Sequence, residues 1–290
     1  MNSSGLSYCG SEVKKHDYDR YLTSLFAPEF CREGLFALYA FNYEIAKTAE
    51  VVSEPLTGMI RLQWWRESLD GIYAGTPRNH EVVLALARVI EQFSLSREAF
   101  DRLIDAREVD LEDEGPASKA QLLQYLRDTS AALFEVACEV SCEISLAGEK
   151  TDRRDAILKA GSHMGMAWGL LGLIRAIPFH AQRKRLYLPK DLVASSGIST
   201  GRLFELESSP ELCGLCEDLA KDIRESLRQA RAERSSLPAS VRPVLMVGIL
   251  ADQYLKRLES RGYDPFDPAL QGAKPSASWR LMWANFVGSY

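Results

Sequence analysis

The chain has 290 residues, with 35 Lys and Arg against 40 Asp and Glu, for a formal net charge of -5. Hydrophobic residues make up 46% and charged residues 26%, the balance of an ordinary globular protein rather than of a fibre or a disordered chain. This mildly acidic chain lacks the basic excess of a dedicated nucleic-acid binder, so no nucleic-acid partner is expected.

The N-terminal MNSSGLSYCGSEVKKHDYD has no apolar stretch of the kind that directs secretion. It does not read as a transit peptide either, because Glu12, Asp17 and Asp19 precede the first arginine, Arg20. Residues 1–11 are expected to be disordered. The longest uncharged apolar run, Met164 to Ile174, contains three glycines and falls short of the roughly 20 residues of a membrane span. Peripheral membrane contact stays open.

Along the chain, breakers are sparse. Neither Gly nor Pro occurs from Asn79 to Glu114 or from Ala117 to Ala147, whereas strands would be punctuated more often. Mostly apolar positions step by three and four, as in Val82, Leu86, Val89 and Phe93, in Phe100, Leu103, Arg107 and Leu111, and in Leu122, Leu126, Thr129, Leu133, Val136, Val140 and Ile144. The spacing predicts helices over 12–25, 29–51, 55–74, 79–93, 96–114, 118–147, 152–177, 191–206, 210–235, 242–260 and 276–288. Ser118 with Gln121 makes a capping box, and Ser209-Pro210 an N-cap followed by proline. Val244 to Ala251 has the composition of a buried strand, but the continuing Tyr254, Leu255, Leu258 spacing favours a helix. With no Gly/Ser-rich linker, one all-α domain over 1–290 is expected, with 262–290 as a C-terminal extension.

Candidate chemistry is thin. Cys138 with Cys142 and Cys213 with Cys216 could together make a four-thiolate zinc site, but their apolar flanks fit small buried thiols. His16, His80, His163 and His180 form no ligand motif, and no metal is expected. The acidic pairs Asp101/Asp105, Asp110/Glu114 and Asp218/Asp222 have a spacing common on solvated helix faces, and the cluster Glu108, Asp110, Glu112, Asp113 and Glu114 reads as a polar helix end and loop. Gly161, Gly165 and Gly169 recur every fourth residue; each costs about 1 kcal/mol in a helix relative to alanine. Close helix packing or the lining of a cavity would offset that cost.

Three stretches carry a resemblance: Phe36-Ala37-Leu38-Tyr39-Ala40-Phe41, Leu62-Gln63-Trp64-Trp65-Arg66-Glu67-Ser68-Leu69, and Met164 to Arg175 followed by Arg185-Leu186-Tyr187-Leu188-Pro189. In order and spacing, over about residues 17–260, they resemble the squalene/phytoene synthases, the head-to-head prenyl transferases. The resemblance implies an isoprenoid synthase-like helical bundle with a central cavity. Those enzymes carry two Asp-x-x-x-Asp motifs whose carboxylates, on one helix face, hold Mg²⁺ against substrate diphosphate. Here the first motif falls on Ala46 and Glu50, with Lys47 alongside, and the second on Ala176 and His180. Mg²⁺ prefers oxygen ligands, so the usual chemistry is expected to be lost, with no catalytic residue and no cofactor.

Within that family, Asp17 to Leu25, Ala40 to Ala46, Val52-Ser53-Glu54, Ala176 to His180, the basic Arg183-Lys184-Arg185 and the Trp279-Arg280 end look like a non-catalytic branch. That branch comprises the mitochondrial complex I assembly factors. The resemblance implies complex I subunits or assembly intermediates as partners, and an isoprenoid lipid or quinone as a ligand. Tyr39, Asn42, Arg175, Arg183, Lys184, Arg185 and Tyr187 are the candidate ligand or headgroup contacts. The expected place is a bacterial cytoplasm at the inner face of the inner membrane, or the matrix side of a mitochondrion. Two other readings stand beside it: an active prenyl transferase with an altered Mg²⁺ site, and an interaction domain whose aromatics Trp64, Trp65, Trp168, Tyr39 and Phe41 simply fill the core.

Overall fold

The computed structural model describes residues 5–52, 54–112, 115–142, 151–270 and 276–290. Every regular element among them is helical, as the three-and-four spacing requires. The first part runs α1 (Tyr8–His16), α2 (Tyr18–Ser24), α3 (Glu29–Ala46), α4 (Thr48–Val51), α5 (Pro55–Tyr73), α6 (Glu81–Phe93) and α7 (Arg97–Asp105), then a 3-10 turn over Ala106–Leu111. Next come α8 (Lys119–Leu126), a π turn (Arg127–Ala131), α9 (Ala132–Val140) and the long α10 (Thr151–Gln182). The chain finishes with α11 (Lys190–Ser196), α12 (Thr200–Phe204), α13 (Pro210–Ala232), α14 (Arg242–Leu245), α15 (Val247–Ser260) and α16 (Ser276–Val287).

Several expected boundaries shift, each for a local reason. Residues 8–11 are not disordered: they start α1, with Cys9 and Gly10 buried. The expected helix 12–25 breaks at Asp17, whose carboxylate accepts from the Arg20 amide and so caps α2. Segment 118–147 is interrupted by the π turn, and its end, including Ile144, lies outside the described residues, as do Ser53, Asp113 and Glu114. Helix α10 runs past Ile177 through Pro178, because its buried stripe of Ile174, Ile177 and Ala181 continues across the proline. Residues 242–260 are helical, which settles the strand alternative.

Helix α10 is the axis of the bundle. It packs on α8, the π turn and α9 along one side and on α13, α14 and α15 along another, while α3 packs on α1, α6 and α9. The glycine stripe explains how α10 comes so close to the π turn. A Cβ on Gly165 would stand 2.5 Å from the Ala131 Cα and 2.6 Å from the Ser130 carbonyl oxygen. One on Gly161 would stand 3.0 Å from the Phe134 carbonyl oxygen. The Ser130 hydroxyl donates across the gap to the Gly165 carbonyl at 2.7 Å. Close packing therefore accounts for this stripe. Gly172, further along, faces open space.

The contrast is measurable by thermal unfolding. Gly165→Ala should cost about 2–4 kcal/mol, because backbone blocks the new methyl. Gly172→Ala should be neutral or stabilise by up to about 1 kcal/mol, the helix propensity difference alone.

Candidate functional site

The two motif positions come to the same end of the bundle by different local rules. The first lies at the C-terminus of α3 and in α4. Ala46 is half-buried and offers no donor, and Glu50 is exposed on α4. The Lys47 ammonium is turned to the Glu44 carboxylate at 2.5 Å and lies 4.8 Å over the Tyr43 ring.

The second lies in the last turns of α10. That helix ends in a Schellman arrangement: the Arg185 amide donates to the His180 carbonyl at 2.9 Å and the Lys184 amide to the Ala181 carbonyl at 2.9 Å. Lys184 takes the left-handed position, with φ 54°, where glycine is usual. The reversal folds Tyr187 back onto His180, with ring centroids 4.2 Å apart.

Beside the motif helices sits a polar cluster in which Asp110 and Asn42 are buried and Arg107, Tyr125 and Tyr187 half-buried. Arg107, in the 3-10 turn, donates through Nη1 to the Tyr125 hydroxyl at 2.7 Å and to the Asp110 carboxylate at 3.2 Å. Its Nη2 donates to Asn42 Oδ1 at 3.3 Å. Tyr125 donates to the same Asp110 carboxylate at 3.1 Å, and Tyr187 donates to the Asp110 carbonyl at 3.4 Å. Five side chains from α3, the 3-10 turn, α8 and the loop after α10 are thereby tied together. Burial pushes the Asp110 carboxyl up, and the Arg107 guanidinium opposes that push. Burial also raises the Tyr125 and Tyr187 hydroxyls. His180 is pushed down to about 4 by burial and by the charges of Arg183 and Arg185, so its imidazole is neutral at neutral pH. A cavity of about 10 Å³ is bounded by Leu173, Ile177, His180, Tyr187, Leu188 and Leu203, about the room of one water.

The remaining candidates are elsewhere. Tyr39 is sealed in the core with the Arg20 guanidinium 5.3 Å from its ring, so as the chain stands it contacts no ligand. Arg175 does not join the basic run. It donates to buried Asp19 at 3.4 Å and lies 4.0 Å over the Tyr254 ring, while Tyr254 donates to Asp19 at 3.0 Å. Arg183 and Lys184 are exposed, Arg183 against the Phe179 ring at 4.0 Å, and Arg185 is half-buried beside Tyr187. Phe41 and Trp65 pack edge to face at 5.3 Å, as core residues do. None of the six cysteines forms a disulfide, and five of them are buried. Asp101 and Asp105 pair with Arg97 and Arg66, and Asp218 and Asp222 with Lys221 and Lys119.

Asp110 is therefore not part of a solvated loop, and Arg107 and Asp110 are site residues that sequence reasoning missed. A signal was present. Arg107 occupies an apolar position of its stripe, and a charge on a buried face needs a partner within reach, here three residues on. The set does not fit a Mg²⁺ cluster. Two of the four motif positions are alanine, the His180 ring lies against the Tyr187 ring, and the Arg107 guanidinium, its buried Nε unpartnered, reaches Asn42 one turn before Ala46. Among the described residues no three of His, Cys, Asp and Glu converge to hold a metal.

Comparison with known proteins places this geometry. The sequence model of the squalene/phytoene synthase family matches residues 13–284. The chain is 30% identical over 264 residues to NADH dehydrogenase (ubiquinone) complex I, assembly factor 6 of Mus musculus, covering 91% of this chain and 77% of that one. The protein of the same name from Bos taurus gives the same identity and coverage. In fold the chain is similar to a dehydrosqualene synthase solved in complex with ligand, with a TM-score of 0.82 at 20% identity over 98% of this chain and 96% of that chain.

Two measurements test the site. Arg107→Met leaves Asp110 buried without its counter-charge and should cost about 3–5 kcal/mol in urea unfolding, partly recovered by Asp110→Leu in the same chain. For His180, the folded pKa near 4 lies below the unfolded value of about 6.5, so the unfolded chain takes the proton first. Its contribution to stability is complete above pH about 6.5 and is lost as pH falls toward about 4. That slope should be missing from His180→Phe, and the imidazole should titrate near 4 by NMR.

Proposed function

The chain belongs to the squalene/phytoene synthase family and has an isoprenoid synthase-like all-α bundle, and on that premise we propose that it is a non-catalytic member that assists assembly of respiratory complex I at a membrane face. The observation that carries the reading is the likeness, across 91% of the chain, to a protein named as a complex I assembly factor. The site supports the non-catalytic half. Where the resembling enzymes keep aspartates this chain has Ala46, Glu50, Ala176 and His180, and an Arg107–Asp110 pair is tied to Asn42 ahead of the first set and to Tyr187 beyond the second. A divalent metal would have to compete there with a guanidinium for the Asp110 carboxylate. An isoprenoid or lipid enters the proposal as a chain lying along the open face of α10 at Gly172, Ala176 and Phe179, since the enclosed space at the site is too small for one. Partners are complex I subunits or assembly intermediates.

Deleting the gene should lower assembled complex I and NADH:quinone reductase activity, with rescue by the wild type and equally by Glu50→Gln. Normal complex I in the deletion strain would overturn the reading. The purified chain should release no diphosphate from farnesyl diphosphate with Mg²⁺. A Mg²⁺-dependent release abolished by Glu50→Gln would restore the transferase reading.

A further inference from the structure

Helix α16 is seated by one face and bare on the other. Ala277, Leu281 and Ala284 are buried against the bundle, where α16 meets α15. Successive helical residues turn by about 100°, so Trp279, Met282, Trp283 and Phe286 form one stripe on the side opposite that seat. Trp279, Trp283 and Phe286 are 73%, 67% and 82% exposed, and Met282 is 51% exposed. Large apolar side chains are ordinarily scattered singly over a protein surface; a contiguous exposed stripe marks an interaction site.

We propose that α16 is a membrane-docking helix that lies in the plane of an anionic bilayer surface and inserts Trp279, Met282, Trp283 and Phe286 at the boundary of headgroups and acyl chains. The proposal rests on the reading above that the protein works at a membrane face, and it assigns the surface. Two observations select a lipid surface over a protein groove, and a third sets how that surface is met. The first is side-chain chemistry. Two of the four stripe residues are tryptophan, whose apolar ring and polar N–H suit the wet edge of a bilayer. The second is charge. No Asp or Glu occurs from Pro268 to Tyr290, Arg280 stands exposed beside Trp279, and exposed Arg234 is fastened to the Gly288 carbonyl at 2.7 Å, at the far end of the helix. An anionic headgroup layer complements that set. The third is length: α16 has 12 residues, or about 18 Å, which lies on a bilayer and does not cross one.

The stripe is also held rigid. Gly288 ends the helix with φ 65°, the Ser289 amide donates back to the Ala284 carbonyl at 2.8 Å, and Arg231 donates to the Tyr290 carbonyl at 2.8 Å. Little ordering is left to be done on docking.

The test is partitioning of the full chain onto vesicles of phosphatidylcholine with phosphatidylglycerol. The wild type should co-sediment, less so as salt is raised, with tryptophan emission shifted blue and quenched by brominated acyl chains. Trp279→Ser, Trp283→Ser and Phe286→Ser combined should lower partitioning by about tenfold or more, with the circular dichroism spectrum unchanged. Trp279→Phe with Trp283→Phe should keep binding and lose the quenching. If the triple variant bound like the wild type, the assignment to α16 would fall and the membrane reading would stand. A wild type that bound no vesicles would remove both. A wild-type dimer in light scattering that the triple variant turned into monomers would assign the stripe to a second copy of the chain, and the proposal would be wrong.

Discussion

The backbone of α10 lies directly against the π turn at Ser130 and Ala131, and the arrangement of the other helices depends on that contact. It fixes the rotation of α10 about its own axis. Because one residue of helix is about 100° of rotation, the register set at Gly161 and Gly165 decides that Arg175 faces Asp19 and that His180 faces the loop carrying Tyr187. The π turn serves the same end from the other side. It follows Tyr125 by two residues, and the change of pitch there lets α9 meet the glycines while Tyr125 reaches Arg107.

Several of the charges that reach the interior are held in pairs. Arg107 is matched by Asp110, Arg175 by Asp19 and Arg20 by Asp17, and each guanidinium also lies over an aromatic ring. Such pairs add little net stability relative to apolar packing, because desolvation offsets much of the attraction. What they supply is direction, since a half-made pair is far worse than none. The Arg175–Asp19 pair locks α10 to α2, and Arg107 locks the 3-10 turn to α3 and α8.

Helical periodicity made the element types legible, and capping chemistry located some starts. Ser118 does accept from the Gln121 amide, and Ser209 from Leu212, ahead of α8 and α13. What stayed hidden depends on partners distant in the chain. Asp17 breaks one predicted helix into two by a cap that a continuous pattern conceals. Pro178 reads as an ending, yet buried Ile177 and Ala181 carry the helix across it. At the site, the motif positions could be placed by number, but the buried tie through Arg107 could not, since Asn42 is 65 residues away and Tyr125 is 18. Arg175 and Arg183 are both candidate headgroup contacts by sequence, and they face different neighbours in space.

The contact between the His180 and Tyr187 rings has a consequence for what position 180 can carry. On the proposed reading, an aspartate placed at 180 would give up the ring contact that closes the loop after α10, and would gain nothing from positions 46 and 176 while alanine remains there. On that reading the step at 180 is unfavourable while the other positions stay as they are. On the same reading the packing at this loop acts as a ratchet against the return of a metal-binding set.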